Sequence, residues 1–283
     1  MVGMKKLLAA IGLAAAATTT PSFAGNIWLT GHDADLHCSF GGQQCNHFGT
    51  ALDFARQGAT NKALPLLFLD SGTELGTASA NAFSKAKNSV EGAGNAFNFL
   101  VVDPTSAGFA SLAFNAFSAI VVASDSSCGG CDNDAADIAA INARTSDIAS
   151  FFNAGGGLVY FAGAGNFASY YDSVPVGATA VAVTSPFTLT AAGLGVGLSN
   201  VLNDANCCAT HNSFALPGSG SALQVAETDA AGVAETLFAS GAVITDGGIV
   251  TDSGGGGSVP EPASLGLLGL GALALGFTRR RKQ

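Results

Sequence analysis

The chain has 283 residues, 48% of them hydrophobic and 11% charged, with 38 glycines and a formal charge of −9. That is too apolar for a disordered chain and too glycine-rich for a helical bundle, and the length suffices for one substantial core. Six basic residues (Lys5, Lys6, Arg279, Arg280, Arg281, Lys282) lie at the ends; the body keeps five (Arg56, Lys62, Lys85, Lys87, Arg144) against nineteen acids, about −14, which argues against nucleic acid as a partner.

The first segment, 1–24, reads as a signal peptide. Lys5 and Lys6 form its charged region, Leu7 to Ala17 its apolar run, and Ser22-Phe23-Ala24 a small-x-small cleavage site before Gly25. The apolar run is short for a bilayer and meets Thr-Thr-Thr-Pro, which predicts removal rather than anchoring. Export is therefore expected.

A body over 25–250 follows. Five apolar runs without polar alternation predict buried parallel strands: Asn26 to Thr30, Leu64 to Leu69, Phe97 to Val102, Ala119 to Ala123 and Leu158 to Ala162. Helical spacing lies between them, in Phe48, Leu52 and Ala55 and in Phe83, Ala86 and Val90. The longest predicted helix runs from Asp134 to Asn153, with Ile138, Ile141, Ile148 and Phe151 on one face and Gly155-Gly-Gly157 as its stop. Strands alternating with helices imply an α/β fold with an open, mostly parallel sheet. After Tyr170, Val181 to Leu189 and Leu223 to Ile244 predict extra strands or a hairpin at the sheet edge.

Candidate chemistry gathers after the strands, where open α/β sheets bind ligands. His32, Asp33, Asp35 and His37 follow the first strand and suit a divalent metal able to activate water; Asp70, Asp103 and Asp125 fall on the same rim. This supports a metal-dependent hydrolase as the competing function. The structural alternative is that these acids shape loops and cap helices. Outside the cytoplasm the six cysteines favour disulfides: Cys38 with Cys45, Cys128 with Cys131, and Cys207 and Cys208 as a vicinal bridge or paired elsewhere. Cys128-Gly-Gly-Cys131 also has redox-pair spacing, but the surrounding Asp125, Asp132 and Asp134 disfavour a thiolate, so a loop clip is expected. His211 reads as a loop histidine, His47 as a surface residue at a helix start and Trp28 as core. Gly155 to Gly157 and Gly193 to Gly197 read as turns, not phosphate loops.

The stretches NIWLTGHDADLH, AIVVASD and GGGLVYFAGAG, with the late Thr210-His211-Asn212, resemble a class I glutamine amidotransferase-like domain. That resemblance implies a flavodoxin-like sheet and, in active members, a nucleophilic Cys in a tight strand-to-helix turn. The matching turn here, Phe161-Ala162-Gly163-Ala164-Gly165, holds no Cys or Ser, so no catalytic residue is assigned and a non-catalytic domain is expected.

A Gly/Ser linker over 251–258 leads to Val259-Pro260-Glu261-Pro262, an apolar stretch from Ala263 to Phe277, and the basic stop Arg279-Arg280-Arg281-Lys282. Read as a transmembrane helix, the stretch reaches ~22 Å, close to a bilayer core once flanking residues contribute. Its basic end stays cytoplasmic and leaves the body outside. The whole of 259–283 resembles the PEP-CTERM sorting signal of Gram-negative bacteria. The resemblance implies an exosortase as partner, transient anchoring in the inner membrane, cleavage near Pro260-Glu261-Pro262, and release or attachment at the cell surface, often beside exopolysaccharide.

Overall fold

The computed structural model describes residues 24–39, 44–57, 59, 62–72, 82–94, 97–126, 132–163, 169–175, 179–199, 210–216 and 221–252. The signal peptide up to residue 23, the sorting segment 259–283 with its apolar stretch, and Cys128, Cys131, Cys207 and Cys208 lie outside them. Among the described residues no helix is long and apolar enough to cross a membrane.

All five predicted parallel strands form. They are β1 (Gly25–Thr30), β2 (Leu66–Leu69), β3 (Phe99–Val102), β4 (Ala119–Val122) and β5 (Gly157–Tyr160). They pair in parallel in the order β3-β2-β4-β5-β1. Their uninterrupted hydrophobicity follows from burial on both faces. Ile27, Leu67, Ile120 and Leu158 point into one core, and Trp28, Phe68, Val121 and Val159 into the other. β3, at the open edge, is the exception and is half exposed.

Helices cover both faces. α1 (Ala34–Ser39), α2 (Cys45–Gln57) and α3 (Ala82–Gly92) pack on the Trp28 face, and α4 (Ala135–Asn142) and α5 (Thr145–Asn153) on the Ile27 face. The Cys38–Cys45 disulfide ties α1 to α2. The single helix expected from Asp134 to Asn153 is instead two. Asp134 caps the first through a capping box with Asp137, but the chain breaks at Ala143-Arg144. There the Arg144 guanidinium donates to the carbonyls of Phe109 (2.6 Å) and Leu112 (2.8 Å) and lies 3.8 Å above the Phe114 ring. Gly155, at φ +92°, ends the pair.

The C-terminal strands extend the sheet. β10 (Ala234–Thr245) lies antiparallel to β1 and turns into β11 (Gly248–Thr251). β8 (Ser213–Ala215) and β9 (Gln224–Thr228) also pair with β10, with β6 (Thr179–Val181) on β8 and β7 (Thr188–Leu189) on β9. The stretch from Leu223 to Ile244 forms the hairpin of β9 and β10, joined by a turn in which Asp229 Oδ1 accepts from the Ala231 and Val233 amides. Part of the expected 193–197 turn is a short helix, α6 (Ala191–Gly195). Gly193 sits so close to the Ala226 carbonyl that a Cβ would lie 2.1 Å from its oxygen. The result is an α/β fold with a mixed, open sheet, parallel from β3 through β1 and antiparallel from β10 onward.

Candidate functional site

The carboxyl ends of β1, β2, β4 and β5 form one rim, and the polar loop after β1 crosses it. Gly31 is required there, because a Cβ would meet the Asn212 carbonyl oxygen at 1.7 Å. Beyond Gly31 the candidate ligands His32, Asp33, Asp35 and His37 diverge into three environments instead of surrounding one point.

His32 turns into the core and is fully buried. Its Nε2 lies 2.9 Å from Glu227 Oε2 and 2.9 Å from Glu235 Oε2, and its Nδ1 is hydrogen-bonded to Thr210. Thr30 Oγ1 donates to Glu235 Oε1 (3.2 Å), and Thr236 Oγ1 donates to Glu235 Oε2 (2.6 Å). His47 packs edge-on against His32 at 4.8 Å and accepts at Nε2 from the Trp28 indole (3.2 Å); its Nδ1 has no hydrogen-bond partner. Burial opposes charge on His32, but the two glutamates outweigh it and hold the imidazole well above its ordinary value. Burial, then the neighbouring His32, pushes His47 well below. Burial and Glu235 raise Glu227 to about 7 against the pull of His32.

Asp33 stays at the rim. Its Oδ2 lies 3.5 Å from His37 Nε2 and 3.2 Å from His211 Nε2, the second outside hydrogen-bonding geometry. Both histidine side chains are partly exposed.

Asp35 faces the third environment, between the ends of β2 and β4. Its carboxylate accepts from the Ser124 amide and hydroxyl, both at 2.8 Å. Beside it Lys85 from α3 is paired with Asp132, and with Asp70, Ser89, Phe68 and Ala123 these residues line a cavity of about 10 Å³, room for roughly one water. Burial and Asp70 push Asp132 up to about 8 while Lys85 pulls it down; burial likewise raises Asp35. Asn133 Nδ2 bridges the carbonyls of Leu69 and Ala123 at 2.9 Å each and so locks the two strand ends. The chain leaves β2 through α3 on one face and β4 through α4 and α5 on the other, so this crevice is where the winding reverses, the usual ligand position in such sheets.

The other rim acids shape backbone. Asp70 Oδ1 accepts from the Gly72 amide (2.9 Å), and Asp103 Oδ1 from the Thr105 amide (2.7 Å) and hydroxyl (2.6 Å). Buried Asp125 bridges to Asn133. His47, expected at the surface, is buried; Trp28 is core as expected. At the turn after β5, Gly163 is closely packed. A Cβ on Gly163 would lie 2.5 Å from the Tyr170 ring, and the Gly163 amide donates to Asn212 Oδ1. Tyr171 donates to the carbonyls of Phe161 (3.1 Å) and Thr30 (3.2 Å), so aromatic side chains close this end.

Sequence reasoning did not single out Lys85, Asp132, Glu227 or Glu235. Glu235 carried one usable signal: an acid beside Ala234 inside an apolar strand run must find a partner.

The PEP-CTERM protein-sorting motif matches residues 258–282. No curated protein and no solved structure matches the chain. The motif implies an exported protein, membrane-anchored or at the cell surface, that an exosortase processes.

Proposed function

We propose that this protein is an exosortase-sorted component of the cell surface or exopolysaccharide matrix, with a non-catalytic, amidotransferase-like binding domain as its cargo. The observation that carries the reading is the sorting motif over residues 258–282, in register with Pro260-Glu261-Pro262 and the Arg279 to Lys282 stop. The signal peptide through Ala24 supplies the route out, and cleavage near Pro260-Glu261-Pro262 detaches the body from the inner membrane.

Two features support the amidotransferase-like, binding character of the body. Strands β2 to β5 lie in the order 3-2-4-5, the first four positions of a flavodoxin-like sheet, with β1 in the fifth. The turn that carries the nucleophile in active members lacks one, and its Gly163 packs against Tyr170. The competing hydrolase reading needs His32, Asp33, His37, Asp125 and His211 around one point, and their separate partners favour binding instead.

Mass spectrometry of the mature termini, in strains with and without the exosortase, tests the sorting. The expected surface form begins at Gly25 and ends near residue 260, and the exosortase-deficient strain retains the uncleaved tail in its membrane fraction. A surface form intact through Gln283 would overturn the reading.

A further inference from the structure

We propose that His32, His47 and Glu227, with Glu235 beside them, form a buried site for one divalent transition metal of the zinc, manganese or iron class. One ligand atom from each of His32, His47 and Glu227 lies within 4.8 Å of the others, and all three side chains are buried. Small side-chain movements suffice to bring such a set to the 2.0–2.2 Å of a metal–ligand bond. Imidazole with carboxylate, and no thiolate, selects this class over calcium or magnesium.

The partners around the set are those of ligands held in place. The hydrogen bond between His32 Nδ1 and Thr210 fixes the ring and, with the ring proton on Nδ1, leaves Nε2 facing two carboxylate oxygens at 2.9 Å. Thr30 and Thr236 fix the Glu235 carboxylate. Three bases therefore converge where one cation must sit. A divalent ion with both glutamates ionised and both imidazoles neutral is charge-balanced, and binding it displaces the protons such a set would otherwise hold.

His47 supplies the second observation: a fully buried imidazole beside His32 whose Nδ1 has no hydrogen-bond partner. Ligation through Nδ1 moves the His47 proton to Nε2, so the Trp28 indole must give up its hydrogen bond in exchange for the metal–nitrogen bond. The site joins the end of β1 and α2 to β9 and β10, and with no solvent-exposed face it is a structural staple, loaded as the exported chain folds.

The test uses the full chain, exported and purified without chelator. Elemental analysis should find about one transition-metal ion per chain. Chelation should lower Tm, zinc, manganese or iron alone should restore it, and cobalt(II) should give visible bands of an imidazole-containing site. Glu227→Gln should weaken metal retention at least about tenfold, while the rim variant His37→Ala keeps it. If Glu227→Gln does not fold, the wild-type ion count and cobalt spectrum decide alone. Absence of stoichiometric metal together with a Tm indifferent to chelator and added metal would overturn the proposal, as would metal lost in His37→Ala but kept in Glu227→Gln.

Discussion

Replacing Lys85 with methionine removes the cation from the crevice while keeping most of the side-chain volume. Lys85 is 5% exposed and pairs with Asp132, which burial and Asp70 already push up to about 8. Asp132 is raised, so its protonated form belongs to the folded state. The stability it contributes is full below the ordinary value of 3.8 and is lost as pH rises through about 8. Without Lys85 the folded value climbs further, so the variant goes on losing stability at pH values where the wild type has levelled off. Near pH 6, with Asp132 protonated in both proteins, the expected loss is about 1–3 kcal/mol from the hydrogen bond. Above about pH 8 the gap widens by ~1.4 kcal/mol per pH unit, toward the 3–5 kcal/mol typical of a broken buried ion pair. Urea unfolding of both proteins at pH 6, 8 and 9.5 reads this directly. A loss that stays constant across the three values, or shrinks as pH rises, would refute the assigned electrostatics.

Two further perturbations test other parts of the molecule. In chelated protein the network around His32 should lose stability as pH rises. Glu227, raised from 4.5 to about 7, contributes fully below 4.5 and loses that contribution as pH passes 7; His32, raised above 6.5, contributes fully below 6.5 and loses it through its higher folded value. Tm measured from pH 5 to 9 should therefore fall, and it should fall less steeply in the Glu227→Gln protein, where His32 keeps only Glu235. Cys38→Ser opens a disulfide with a sequence separation of 7, which loop-closure entropy values at about 2.5 kcal/mol; denaturant midpoints with and without reductant should converge on the variant's value.

The strands were legible because burial on both faces writes itself locally. Leu66 to Leu69 and Ala119 to Val122 cannot be read as exposed segments, and their positions follow from composition alone. The break at Arg144 was not legible, since the carbonyls that hold its guanidinium, those of Phe109 and Leu112, come from a loop more than 30 residues upstream. The site divides in the same way. That the loop after β1 is polar and sits at the rim follows from its position after a strand. That His32 turns toward Glu227 and Glu235 while buried Asp33 faces His37 and His211 depends on strands roughly 200 residues away, which β10 lying beside β1 brings in. Proximity in sequence suggested one ligand set of His32, Asp33, Asp35 and His37; tertiary pairing divides them among three environments and leaves only Asp33 and His37 together.

The same strand pairing bears on how the sorted protein stands at the membrane. Gly25 pairs with Ala242, and Ala242 with Thr251, so the first residue of β1 and the last of β11 flank one residue of β10. Two strand spacings separate them, about 10 Å. On the sorting reading, the signal peptide before Gly25 and the linker after Thr251 both attach at this level, the amino end of the parallel sheet. The crevice of Asp35, Lys85 and Asp132 lies at the carboxyl end, past the six residues of β1, about 20 Å away. A body tethered at either end can therefore hold the anchoring edge toward the membrane and the crevice outward.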